Sequence, residues 1–391
     1  MTTHSAGVES SQGPTQSQRS YEPKHLPALD GIRGIAILLV IMTHLGAILR
    51  DVGVQRYIEF GWIGVDLFFV LSGFLITRIL LDTRGDSSYY RRFYIRRGLR
   101  IWPLYYVYLI VSLLLMHFLG AVSSHSPSDF GSGGPPSIAT PLWMYLLFIQ
   151  NLCWSSLFAS KDMTAVTWSL CIEEHFYLAW PVCVRKLTVR TLKYGLLALL
   201  ILSPFLRLGA MFVLRGHPYS TWLQTIVRFT PLHLDAIATG CLLCLLWGRL
   251  NSLAWHFRLF TGAFLFGLAA TVFCLVFQQN EMVYSFCFSA LAIMFAGLVG
   301  MALNGWLSAV FTNPFLRYVG KISYGLYLIH TYVFLFLQSH HLQAKLGFGR
   351  HVQAGEWIAA VLAVSLSLLI ASLSWKFYES RMLALKPRLA P

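Results

Sequence analysis

Arg33 and His44 stand eleven residues apart in LDGIRGIAILLVIMTH (29–44), a run that is otherwise almost wholly apolar. Eleven steps of about 100° return both side chains to nearly one helix face, separated by about 16 Å of rise. A stripe of this kind carries a guanidinium near one membrane surface and an imidazole deeper in. The histidine is a candidate general base or acyl carrier, or a core imidazole bonded to a neighbouring helix. The arginine is a candidate anion ligand or a lipid-facing anchor. Asp30, at the helix entrance, reads as an N-cap.

Two further stripes carry polar groups through apolar sequence. In WSLCIEEHFYLAWP (168–181), Ser169, Glu173 and Tyr177 share one face, whereas Glu174 lies with Leu170 and Leu178. Glu173 is therefore the inward carboxylate, suited to acid/base work, to orienting a histidine, or to an ion pair with Arg207. In KISYGLYLIH (321–330), Ser323, Tyr327 and His330 fall on one face. They serve either as interhelical hydrogen bonds or, for Tyr327 and His330, as stabilisers of an oxyanion. Asp66, Arg207 and Asp235 also lie within apolar stretches, and are acceptor-binding or structural candidates.

The basic segment YYRRFYIRRGLRIWP (89–103) places Arg92, Arg96 and Arg100 within about 80° of arc. It reads as an amphipathic helix lying in the membrane plane, either a headgroup anchor or a phosphate cradle. No GxxxxGK[ST], GxGxxG or HExxH sequence occurs, so nucleotide hydrolysis and zinc proteolysis have no motif. The seven cysteines fall in apolar stretches, and the Cys241–Cys244 pair reads as helix packing.

The elements that hold these groups follow from composition. Of 391 residues 56% are hydrophobic and only 12% charged, with mean hydropathy +0.61 and a net charge of +14. Soluble domains carry about a quarter charged residues, so the chain reads as an all-α polytopic membrane protein with no nucleic-acid partner. Runs able to span about 30 Å of hydrocarbon lie near 30–50, 61–81, 101–121, 168–184, 194–214, 230–248, 257–277, 283–304, 321–339 and 356–376. An eleventh, 141–159, is interrupted by Gln150 and Asn151 and reads as re-entrant or interfacial. With both termini cytoplasmic, inner segments then hold 20 Lys and Arg against seven outside (Arg50, Arg56, Lys161, Arg215, Arg228, Lys345 and Arg350). Residues 1–24 read as a disordered cytoplasmic tail, 25–380 as the membrane domain and 381–391 as a second cytoplasmic tail.

Taken together, the Arg33-to-His44 stretch, GVDLFFVLSGFLIT (64–77), YIRRGLRIWPLY (94–105), WSLCIEEHFY (168–177), ISYGLYLIH (322–330) and FYESR (377–381) resemble the acyltransferase-3 family of integral membrane O-acyltransferases. The resemblance implies a ten-helix core in the cytoplasmic (inner) membrane. It implies a cytosolic acyl-CoA donor, acetyl-CoA by default, with no tightly bound cofactor and no metal. It makes His44 catalytic, as base or acyl carrier, and Arg33 donor-related, and it falls on Glu173, which would hold the imidazole. Arg33, Arg92, Arg96 and Arg100 are then the expected ligands of the donor phosphates. The implied acceptor is a hydroxyl of an extracytoplasmic glycan or lipid-linked sugar, with membrane lipid as surroundings. The alternatives are an O-acyltransferase of small natural products, or a secondary transporter or glycan-export protein without acyl transfer. Some members append a soluble extracytoplasmic hydrolase-like domain, and here another protein is expected to supply any such step.

Overall fold

The computed structural model describes residues 26–49, 53–54, 58–123, 141–152, 165–214, 225–277, 281–337 and 352–390. The tail over 1–24 lies outside them, as do Arg50, Arg56, Lys161, Arg215, Lys345 and Arg350 from the outer count. Among the described residues the secondary structure is helical, with no strand. Ten of the helices among these residues reach fifteen residues: α1 Pro27–Leu45, α2 Ile63–Asp82, α3 Tyr89–Ser123, α4 Trp168–Lys186, α5 Val189–Val213, α6 Asp235–Asn251, α7 His256–Val276, α8 Cys287–Leu303, α9 Ser323–Leu337 and α10 Val352–Ser374. Each matches one expected span. Seven helices among the described residues are long and apolar enough to cross a membrane, and α4, α6 and α9 are not among them. The reason is chemical for α4, which carries Glu173, Glu174, Arg185 and Lys186, and one of length for α6 and α9, at 17 and 15 residues.

Three boundaries differ from expectation. α1 begins at Pro27, whose fixed φ suits the first helical position, so Asp30 is not the N-cap. It sits inside the first turn and pairs with Arg33 at 3.3 Å. The basic segment 89–103 is not a separate in-plane helix. It is the first half of α3, a single helix of 35 residues that continues through Pro103. Residues after 380 are not a free tail, because Ser380–Ala384 and Lys386–Leu389 are helical and fold back on α3. Between α10 and these turns lies one π turn, Trp375–Glu379.

The described part of 141–159 forms two short pieces, Leu142–Leu146 and Gln150–Leu152, each far too short to span hydrocarbon. Such irregular backbone is tolerated at depth only when buried in protein. Gln150 and Asn151 supply that burial: Gln150 donates to Thr167 Oγ1 at 3.0 Å, and Asn151 donates to Thr230 Oγ1 at 2.7 Å and to the Arg228 carbonyl at 3.0 Å.

Small residues set the core packing, as expected where lipid removes most of the hydrophobic drive between helices. α2 and α6 approach so closely that a Cβ at Gly73 would strike the Ile237 carbonyl, and one at Gly240 the Val70 carbonyl. Large apolar side chains face outward instead, including Val213, Val276 and Phe336, each at least 69% exposed. This inverted surface is that of a multi-pass membrane protein. Between α4 and α5, Arg84 caps the exhausted helix by donating to the Leu187 carbonyl at 2.8 Å, and Thr188 begins the next by accepting from the Thr191 amide.

Candidate active site

α1 holds His44 against His330 of α9, with ring centroids 4.7 Å apart and planes at 74°. Each ring ties Nδ1 to the carbonyl one turn earlier, His44 to Val40 at 2.8 Å and His330 to Leu326 at 3.1 Å. A carbonyl only accepts, so Nδ1 carries the proton in both neutral rings and Nε2 presents a lone pair. His330 is fully buried and its Nε2 has no hydrogen-bond partner. The pair thus offers two proton acceptors and no spare N–H.

That tautomer changes the expected division of labour. As a neutral ring, His330 lacks the donor an oxyanion needs. Tyr327 spends its hydroxyl proton on the Val166 carbonyl at 2.7 Å and meets Ser169 Oγ at 2.7 Å. Tyr327 therefore acts as a strut between α9 and the start of α4, about one helical turn from His330.

Glu173 is half-buried where α4 packs on α2. It accepts from Ser72 Oγ at 2.6 Å and from Tyr177 Oη at 3.0 Å. These contacts, rather than His44 or Arg207, are its partners. Glu174 turns to the other side, where Trp102 Nε1 donates to it at 3.3 Å.

Arg207 is taken elsewhere. Fully buried, it pairs with Asp235 at 3.0 Å and donates to Ser289 Oγ and to the Ser285 and Leu232 carbonyls at 2.7–2.9 Å. Asp66, equally buried, meets His233 Nε2 at 2.8 Å, while His233 Nδ1 donates to the Val227 carbonyl at 2.7 Å. Since Nδ1 already carries a proton, a second lies between Nε2 and Asp66. Arg207, Asp66 and Asp235 together brace α2, α5, α6 and α8, and of the two expected roles the geometry favours the structural one.

At the opposite end of α1, Arg33 lies in the field of Arg97 and Arg100 on α3. Beside them a cavity of about 180 Å³ is lined by Ile79, Thr83, Tyr89, Arg92, Phe93, Arg96, Arg97, Arg100 and Lys386. Three of the four expected phosphate ligands therefore share one chamber. Arg92 is held by Asp86 at 2.9 Å, and Arg96 reaches the Ala390 carbonyl at 3.0 and 3.3 Å. Sequence reasoning missed Arg97 and Lys386. Arg97 lies off the 92/96/100 stripe, over the rings of Tyr177 at 5.8 Å and Phe93 at 6.0 Å, and only the doubled Arg96-Arg97 hinted at it. Lys386 sits in a segment read as outside the domain.

Among the described residues no group of three or more His, Cys, Asp or Glu side chains is gathered to hold a metal ion. The arrangement sets Arg33 of α1 in the field of the arginines at one end and His44 of the same helix against His330 at the other.

The family model described as "Acyltransferase domain" matches residues 26–376. The chain is 26% identical to the O-acetyltransferase OatA of Staphylococcus aureus, over 93% of this chain and 58% of that protein. It is 28% identical to the peptidoglycan O-acetyltransferase OatA of Listeria monocytogenes, over 92% and 56% respectively. The chain thus spans less than three-fifths of the curated relatives it matches. No solved structure matches it.

Proposed function

The chain belongs to the acyltransferase-3 family, and from that premise we propose that it is a membrane O-acyltransferase. It moves an acyl group, acetyl by default, from cytosolic acyl-CoA to a hydroxyl of an extracytoplasmic glycan or lipid-linked sugar. The acceptor class rests on the relatives, one of which is named for peptidoglycan. One observation carries the reading: α1 bears Arg33 beside the arginine chamber and His44 against His330, about 16 Å along the same rod.

The chemistry follows from that layout. Phosphates dock on Arg92, Arg96, Arg100 and Arg33, charge-assisted contacts that fit guanidinium forks. The pantetheine arm runs along α1 and brings the thioester to His44. Nε2 of His44 takes the acceptor hydroxyl proton while the oxygen attacks the thioester carbonyl. The C–O bond forms, the C–S bond breaks, and the proton passes from His44 to the departing thiolate. In this topology the ten helices cross the inner membrane, 141–159 enters without crossing, and both termini are cytoplasmic.

The test uses purified protein in nanodiscs with radiolabelled acetyl-CoA. Donor binding with thioester turnover that His44→Ala abolishes is the expected result. Failure to bind acetyl-, propionyl- or succinyl-CoA overturns the donor assignment, and substrate flux without covalent turnover replaces the enzyme with a transporter.

A further inference from the structure

The segment after α10 has a geometry that the acyl-transfer chemistry does not require. The π turn Trp375–Glu379 is followed by Ser380–Ala384 and Lys386–Leu389, which lie against α3. Lys386 projects into the wall of the arginine chamber, where it joins Arg92, Arg96, Arg97 and Arg100. Five cations converge on about 180 Å³. Like charges at such range repel one another, and Asp86 engages Arg92 at the chamber edge. Four residues beyond Lys386, the Ala390 carbonyl accepts both Nε–H and an Nη–H of Arg96. Those two parallel donors form the fork with which a guanidinium grips a phosphate. The Ala390 amide in turn donates to the Lys386 carbonyl at 2.9 Å, so the cation and the competing carbonyl belong to one turn.

We propose that Ser380–Ala390 is a strap over the chamber, in which Lys386 is a binding residue for a ligand bearing several phosphates. Ala390 is the group such a ligand displaces from Arg96. A phosphate oxygen and the Ala390 carbonyl compete for the same N–H groups, and the phosphate, being charged, forms the stronger bonds. Entry of the ligand therefore releases the last turn from Arg96 and draws Lys386 onto the anion. A phosphate-free ligand does neither. This inference rests on the donor reading of the chamber, yet it concerns residues that reading does not use.

The experiment measures coenzyme A and pantetheine binding to the full chain in nanodiscs, with hydrogen exchange at the amides of Lys386 and of Arg388–Ala390. Lys386→Ala is expected to weaken coenzyme A binding about tenfold, the scale of one charge-assisted contact, and Lys386→Arg to restore it. Pantetheine binding is expected to stay as in the parent protein. Exchange at Ala390 and Leu389 is expected to rise with coenzyme A and to remain unchanged with pantetheine. Wild-type binding of coenzyme A with no effect of Lys386→Ala and no exchange change overturns the strap and leaves the donor reading intact. No coenzyme A binding by the wild type overturns the donor reading itself. Thermal unfolding of each variant separates loss of binding from loss of fold: a variant that melts with the parent and still binds fully counts against Lys386.

Discussion

The imidazoles of His44 and His330 meet edge to face at 4.7 Å, and each fixes its tautomer through a carbonyl of its own helix. Neither ring depends on a carboxylate for orientation. That separates this pair from the base-plus-acid arrangement in which an aspartate holds the histidine. In the neutral form each ring keeps an Nε2 lone pair, so the pair can take up one proton with a single charge in the membrane.

Replacement of His44 by alanine is expected to lower acyl transfer by about 10²–10⁴-fold, the usual worth of a positioned base. Expression and donor binding are expected to persist, read by coenzyme A titration beside the turnover assay. His330→Phe fills a similar volume without a lone pair. A fall in turnover with an unchanged melting temperature would identify the second ring as chemically engaged, whereas full activity would make it packing alone.

Glu173 is held by Ser72 and Tyr177. Tyr177→Phe removes one of these donors and is expected to cost about 1 kcal/mol of stability, measured by thermal unfolding in detergent. Glu173→Gln is expected to leave His44-dependent thioester hydrolysis present, since the imidazole is oriented by Val40. Complete loss of hydrolysis with a native melting curve would place the carboxylate back in the chemistry.

Arg207 and Asp235 are a fully buried pair. Removing one partner strands the other charge, so Arg207→Met alone is expected to destabilise by about 3–5 kcal/mol. The double change Arg207→Met with Asp235→Leu is expected to recover much of that. Unfolding midpoints of the two singles and the double form the cycle that decides it.

Charge removal at Arg96 and Arg100 together is expected to weaken coenzyme A binding and to flatten its dependence on salt, because fewer phosphate contacts remain to be screened. Isotherms at two ionic strengths read this directly. Equal affinity and equal salt slope would return the basic end of α3 to the role of lipid anchor.

The sites of close helix contact give a packing prediction. Gly240→Leu puts a branched side chain where the Val70 carbonyl lies, and backbone cannot yield as a flexible side chain can. Loss of folded protein on size exclusion is expected, against a mild effect at Gly262, where nothing lies within 4 Å of the added carbon.

Apolar runs of membrane length located the ten long helices among the described residues, because such runs leave few alternatives. Periodicity also put Glu173 and Glu174 on different faces, and they meet different partners, since helix phase is fixed locally. What it missed was decided across the chain. Arg207 found Asp235 and not Glu173 because α5 packs on α6, a fact no single helix contains. The 89–103 segment looked amphipathic in isolation, whereas Pro103 proved no barrier and the basic turns became part of the α3 rod. Lys386 was invisible as a lining residue of the chamber because its position depends on how the chain folds back after α10.

That return path hangs on the turn at Trp375–Glu379. A π turn encloses one more residue than an α turn, so its five residues advance the chain through about the rotation that four make in an α-helix. Rewinding the same five residues as regular α-helix would rotate the following turns by about 100° and carry Lys386 away from the arginines. Deleting one residue while the turn relaxes to α winding would instead leave the phase beyond it nearly as it is. The turn thus takes up one residue of slack: the segment beyond it tolerates a change of length there better than a change of winding.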